Sequence, residues 1–196
     1  MENNQEESQE SLGRVLAFSD GVFAIAITIL VLNIDVPPGM TPDQLGEHLR
    51  DLLPTFASAA LSFAVIGRFW MAHRELLAPV RSVSALGLWL NLLILAPIVL
   101  VPAASQLMAE YGDQTVSVVL YALTIAAAGL AELACWAHFS RDLPRDRVRR
   151  GHADIAPVPV AFLISIPVAL VAPEWAPFCW LIAAVPGGFL WSRLRG

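Results

Sequence analysis

An all-α membrane protein with six spanning helices is the fold class that this sequence predicts, and three observations predict it. Hydrophobic residues make up 57% of 196 positions, charged residues only 15%, and the mean hydropathy is +0.63. That is more apolar sequence than a water-soluble core of this size needs. The apolar residues fall in stretches of about 20, the length that crosses the hydrocarbon layer of a bilayer. Charged residues gather in short connections, whose sign alternates along the chain.

Taken in order, the predicted spans are 13–34, 53–73, 84–108, 115–138, 155–172 and 175–193. The first follows MENNQEESQESLG, which is acidic and has neither the basic leader nor the apolar region of a secretory signal peptide. Residues 1–12 are therefore expected to be an acidic, solvated cytoplasmic tail, and residues 13–196 one six-helix membrane domain. The last two spans are short and meet at a tight turn through Pro173 and Glu174. They carry Pro157, Pro159, Pro167, Pro177 and Pro186 with Gly187 and Gly188, so kinked helices are expected, their freed backbone groups met by neighbours. Spans one to three show no sequence repeat with spans four to six, which leaves an inverted-repeat transporter unsupported.

Orientation follows from arginine, which supplies all twelve basic residues. Arg68, Arg74 and Arg81 lie around the second connection, Arg141, Arg145, Arg147, Arg149 and Arg150 in the fourth, and Arg193 and Arg195 at the end. The other connections hold Asp35, Asp43, Glu47, Asp51, Glu110, Asp113 and Glu174 against a single Arg50. The positive-inside rule thus puts both termini and the two arginine-rich connections in the cytoplasm. The run from Arg141 to Arg150 reads as a determinant of this topology rather than a lipid or nucleic-acid patch. Cys135 and Cys179 stand inside apolar segments without CxxC or Cys/His spacing, so neither a disulfide framework nor a zinc site is indicated.

The chemistry concentrates in the first span, RVLAFSDGVFAIAITILVLNID, which has Arg14, Ser19 and Asp20 in its first half. An ionisable residue at membrane depth needs a partner in a bundle or a wet cavity. Ile25, Thr28, Ile29 and Leu32 share one stripe at i, i+3, i+4 and i+7, and Asp20 points away from it. From periodicity alone the stripe faces lipid, a neighbouring helix or a conduit, and the Thr28 hydroxyl bonded to the carbonyl of Ala24 is the plain alternative to a functional role. No HExxH, GxSxG, Ser/Lys pair or acidic metal cluster occurs in or near the spans, which speaks against a membrane-embedded enzyme. TVGYG-like segments and arginine-repeat voltage sensors are absent as well.

The pattern Arg14, Phe18, Ser19, Asp20 at the start of a first spanning helix resembles the signature of the transmembrane protein 175 family of cation channels. The resemblance extends to Phe69-Trp70-x-x-His73 and to Leu88-Trp89-Leu90-Asn91-Leu92, and it weakens after about residue 112. It implies the single-repeat prokaryotic form, a homotetramer in the cell membrane whose four first helices line a central, potassium-preferring pore. On that resemblance Ile25, Ile29 and Leu32 take the hydrophobic constriction and Thr28 the hydroxyl layer tied to potassium preference. Arg14, Phe18, Ser19, Asp20, Trp70, His73, Trp89 and Asn91 take the packing network that braces the pore helix. It implies no organic cofactor, no nucleic-acid partner and no metal beyond K⁺ in transit.

At a similar depth Asp20 is expected to accept hydrogen bonds from His73, Trp89 or Asn91. The alternative reading is a proton-coupled secondary transporter using Asp20, His73 or Glu132, since histidine titrates near neutral pH and Glu132 is the only acid of the fourth span, with Trp136 and His138 below it.

Overall fold

The computed structural model describes residues 2–80 and 82–181. It is helical, with no strand among the described residues. Helix α1 runs Glu2–Ile29 and continues as a 3-10 turn, Leu30–Asn33. The acidic stretch before Gly13 is therefore the first turns of α1 itself. The helix ends at Asn33, Ile34 is extended, and beyond Pro37 and Pro38 the chain turns at Gly39, whose φ of 83° suits a residue without Cβ.

Helix α2 (Pro42–Asp51) opens with a reciprocal cap: the Thr41 hydroxyl accepts the Gln44 N–H, and the Gln44 side chain accepts the Thr41 N–H at 3.0 Å. Then follow α3 (Leu53–Leu77), α4 (Ala85–Glu110) capped by Ser84, and α5 (Thr115–Phe139). Pro97 and Pro102 each remove one backbone donor inside α4. The chain goes on through α6 (Arg145–Ile155), α7 (Pro157–Val171), a 3-10 turn at Pro173–Trp175 and α8 (Ala176–Cys179).

Among the described residues five helices are long and apolar enough to cross a membrane: Gln9–Asn33, Leu53–Leu77, Ala85–Glu110, Thr115–Phe139 and Arg145–Val171. The first four match the predicted spans to within a few residues. The fifth differs, because helix extends back through the arginine run that the sequence places in a connection. Pro144 stands at its N-cap position, and arginine is a good helix former, so charge does not interrupt it. Of the sixth predicted span only the start, α8, is described. Its remainder, with Pro186, Gly187, Gly188, Arg193 and Arg195, lies outside the described residues, as does Arg81.

Helix α5 is the axis of the bundle. It packs chiefly on α4 and α7, while α1 leans on α4 and α3. The core contains Phe23, Ile66, Phe69, Ile98, Tyr121, Ile125 and Phe162, all almost fully buried. Buried polar atoms are paired across helices: Ser62 with the Tyr121 hydroxyl at 3.0 Å, and Ser58 donating to the Ser105 carbonyl at 2.7 Å. The Trp180 indole N–H donates to Ser165 at 2.9 Å and its ring stacks on Phe162, fixing α8 to α7.

Close approach of α5 to α7 depends on Gly129. A Cβ there would stand 2.7 Å from Cδ of Pro159 and 3.1 Å from its Cβ and Cγ. A proline ring cannot turn away, so Gly129→Ala is expected to cost about 1–3 kcal/mol, the usual range for overpacking. The check is thermal unfolding of the purified protein beside Gly67→Ala, at a glycine whose added Cβ meets nothing within 4 Å.

Candidate functional site

Helix α1 divides into two faces. Ser19, Phe23, Ala26 and Leu30 are buried in the bundle. Ile25, Ile29 and Leu32 are 60%, 40% and 75% exposed, and Thr28 is exposed between them. The stripe lies about 140° round the helix from the buried face, given 100° per residue. It is thus no part of this chain's own core. The Thr28 hydroxyl donates to the Ile25 carbonyl at 2.9 Å, one residue nearer than the expected Ala24.

What holds α1 in that orientation is a pair of adjacent polar residues. The Ser19 hydroxyl donates to the Val15 carbonyl at 2.9 Å and accepts from the Asn91 amide of α4 at 3.1 Å. Both residues are buried. One position on, and therefore about 100° round the helix, the Asp20 carboxylate accepts the Trp70 indole N–H of α3 at 2.8 Å. The Arg74 guanidinium lies over the Trp70 ring, 5.1 Å from its centroid. A cation on the ring face and an anion on its N–H edge suit the charge distribution of indole.

His73 is buried beside this pair. Its ring sits tilted on Phe23 of α1 at 5.5 Å between centroids, and neither ring nitrogen has a hydrogen-bond partner. The expected set is therefore brought together in a different pairing: Asp20 takes its hydrogen bond from Trp70, not from His73, Trp89 or Asn91, because Asn91 is engaged by Ser19. Trp89 is 71% exposed and makes no hydrogen bond among the described residues. Arg14 and Phe18 are exposed and line an open groove of about 510 Å³ between the start of α1 and that of α4, with Glu10, Leu88, Asn91 and Leu92. Among the described residues no three His, Cys, Asp or Glu side chains are grouped to hold a metal ion.

Sequence reasoning missed the ties where α3, α5 and α6 meet. Arg68 donates to the Asp154 carbonyl, and Trp136 donates to the Val148 carbonyl at 3.1 Å, so α3 and α5 both grip α6. The signal is Arg68 itself, an arginine inside an apolar run.

Comparison with known proteins bears on this arrangement. The sequence profile of the family described as "Endosomal/lysosomal potassium channel TMEM175" matches residues 14–102, which hold every residue of the α1 anchors. A protein of Streptomyces collinus named as a potassium channel is 41% identical over 133 residues, 66% of this chain and 65% of that one. The crystal structure of a TMEM175 homologue from Chamaesiphon minutus, titled a lysosomal potassium-selective channel homologue, superposes with a TM-score of 0.79 at 29% identity. It covers 90% of this chain and 96% of that one. The chain belongs to the TMEM175 family.

Human TMEM175, named as an endosomal/lysosomal proton channel, is 35% identical over 136 residues, 63% of this chain and 27% of its own length. The matched region thus spans about two thirds of the Streptomyces relative and about a quarter of the human one. The protein is accordingly a multi-pass membrane protein with the TMEM175 fold.

The two anchors differ in burial, and so in cost. Ser19→Ala leaves the buried Asn91 amide without its partner, a loss of about 1–3 kcal/mol. Trp70→Phe frees a carboxylate that is already exposed to solvent. The expected order of melting temperatures is wild type, then Trp70→Phe, then Ser19→Ala, read by thermal unfolding in detergent.

Proposed function

We propose that this chain is one subunit of a homotetrameric, potassium-preferring cation channel of a prokaryotic cell membrane, with α1 of each subunit lining a central pore. Both termini lie in the cytoplasm, and each subunit has the six spanning helices that the sequence predicts. The observation that carries this reading is the exposed stripe of Ile25, Thr28, Ile29 and Leu32, opposite a face that Ser19 and Asp20 hold in place. Relatives named as potassium channels supply the ion.

The chemistry of such a pore follows from its wall. Four-fold rings of Ile25, Ile29 and Leu32 close the conduit by dewetting, because apolar side chains cannot replace the water that an ion sheds. The Thr28 hydroxyl donates its proton to its own helix, leaving oxygen lone pairs as acceptors for a passing cation. Hydroxyls replace water less fully than rings of carbonyls, so preference for K⁺ over Na⁺ is modest. The two anchors, Ser19 to Asn91 and Asp20 to Trp70, act on conduction through the rotation of α1, with His73 packed beside them on Phe23. Permeant K⁺ is the only ligand required, with no organic cofactor and no nucleic-acid partner.

The test is the reversal potential of purified protein in a planar bilayer under a K⁺/Na⁺ gradient. Displacement toward the K⁺ equilibrium potential is expected. Ile25→Asn, which places an amide in the constriction, should raise the conductance, and Thr28→Ala should draw the reversal potential toward zero. Silent bilayers, together with solute uptake into liposomes driven by a proton gradient, would sink the reading.

A further inference from the structure

From sequence the arginines of α6 mark one side of the membrane, and the structure gives them order and depth as well. Helix passes from α6 into α7 through Ala156, which keeps helical backbone angles, so Arg145–Val171 is one stretch of 27 residues. At 1.5 Å per residue it is about 40 Å long, against about 30 Å of hydrocarbon. Helix α7 has no charged residue. The surplus of about 10 Å therefore falls at the other end, over Arg145–Gly151, and sets the arginines in the headgroup layer.

Their direction is fixed too. Val148, Gly151, His152 and Ile155 share about 100° of arc on α6. That arc faces the bundle: Trp136 of α5 donates to the Val148 carbonyl at 3.1 Å, a Cβ on Gly151 would run into the Trp136 ring, and Ile155 is buried. Arg68 of α3 adds its bond to the Asp154 carbonyl. Arg145, Arg147, Arg149 and Arg150 take up the rest of the circumference and are exposed. Arg145, Arg147 and Arg150 make no hydrogen bond or ion pair among the described residues.

Sidedness depends on the number of positive charges beside a span and needs neither a helix nor ties to hold them. We infer that the outer face of α6 binds the headgroups of anionic phospholipids, with Arg145, Arg147 and Arg150 donating to phosphate oxygens. Guanidinium suits that partner, because its fork of N–H donors matches two oxygens of one phosphate. Residues 141–154 carry five arginines against three aspartates, in a chain whose net charge is −5, so attraction for anions is local to this face. Asp142, Asp146 and Asp154 are exposed among the arginines. They oppose a continuous polyanion such as nucleic acid more than separate headgroups that settle between them. Since α6 is tied to α3 and α5, a headgroup held on its outer face braces that junction from outside.

This inference does not depend on the channel reading, and its test needs no current. The purified full chain in neutral detergent is titrated with phosphatidylglycerol, with phosphatidylcholine of the same acyl chains and with inorganic phosphate, and bound lipid is counted by native mass spectrometry. Phosphatidylglycerol should be retained over phosphatidylcholine, less so as salt is added, and inorganic phosphate at equal concentration should not displace it. Retention is expected to fall about fivefold for each arginine removed in Arg147→Gln and in Arg147→Gln with Arg150→Gln, the weight of one basic residue at an anionic surface. Arg50→Gln, at an exposed arginine of α2, should leave it unchanged.

Equal retention of the two lipids overturns the inference, as does an equal loss in Arg50→Gln. Displacement by inorganic phosphate makes the face a free-anion site, and displacement by a short RNA at lower concentration than the lipid makes it a nucleic-acid surface; either result also overturns it. Should the variants fail to accumulate, a photoactivatable phosphatidylglycerol is cross-linked to the wild type and the labelled peptide is mapped. Label on residues 141–155 supports the headgroup site, and label confined to other segments overturns it.

Discussion

The rotation of α1 about its own axis is the constraint on which the rest of this structure depends, and two adjacent residues fix it. Ser19 and Asp20 project about 100° apart, so a bond from each to a different helix leaves α1 no free turn. Ser19 reaches Asn91 on α4, and Asp20 receives Trp70 from α3. An apolar helix among apolar helices has little preference for one azimuth over another, because lipid tails solvate leucine as well as a neighbouring helix does. A hydrogen bond has direction and a strong penalty for being left unmade. The polar motif thus specifies which apolar residues face inward to Phe69 and Ile98 and which face outward at Ile25, Ile29 and Leu32.

The same logic runs through the bundle at other depths. Ser62 meets Tyr121, Ser58 meets Ser105, and Trp180 meets Ser165, each a small polar group that lets backbones come close and then locks register. Gly129 does by absence what these do by bonding, since it admits the Pro159 ring against α5. Helix α5 can serve as the axis because it has neighbours on both sides, α4 and α7, whereas α1 rests on one side only.

How much of this was legible in the sequence depended on the kind of information each feature needs. Span positions were legible, because apolar length is a local property set by bilayer thickness. The arginine run was misplaced into a loop for an equally local reason: charge marks one side of the membrane but says nothing about helix continuity, and α6 joins α7 through Ala156, which keeps helical backbone angles. The exposed stripe of α1 was legible from spacing, its meaning only from resemblance. The pairing of Asp20 with Trp70 was not legible, since depth places His73, Trp70, Trp89 and Asn91 at one level and only the packing azimuth of α3 and α4 chooses among them. Arg68 illustrates the same limit, as its partner Asp154 offers a backbone carbonyl that no residue type announces.

The contrast between α1 and α5 bears on the proposed assembly. Of the apolar windows of α1 and α3, 22% is buried within the chain in each, against 56% for α5. Lipid could cover the remainder if it were uniformly apolar. Yet the exposed face carries Arg14 at one end and the Thr28 hydroxyl within a row of Ile and Leu, and α1 alone continues beyond the span as helix back to Glu2. A face that is ordered by two anchors, interrupted by a hydroxyl and left unpacked by its own bundle is the face that the proposed assembly would place around a conduit. The Thr28 hydroxyl, bonded within its own helix, suits either a lipid face or a conduit, so the fixed rotation of α1 carries the argument.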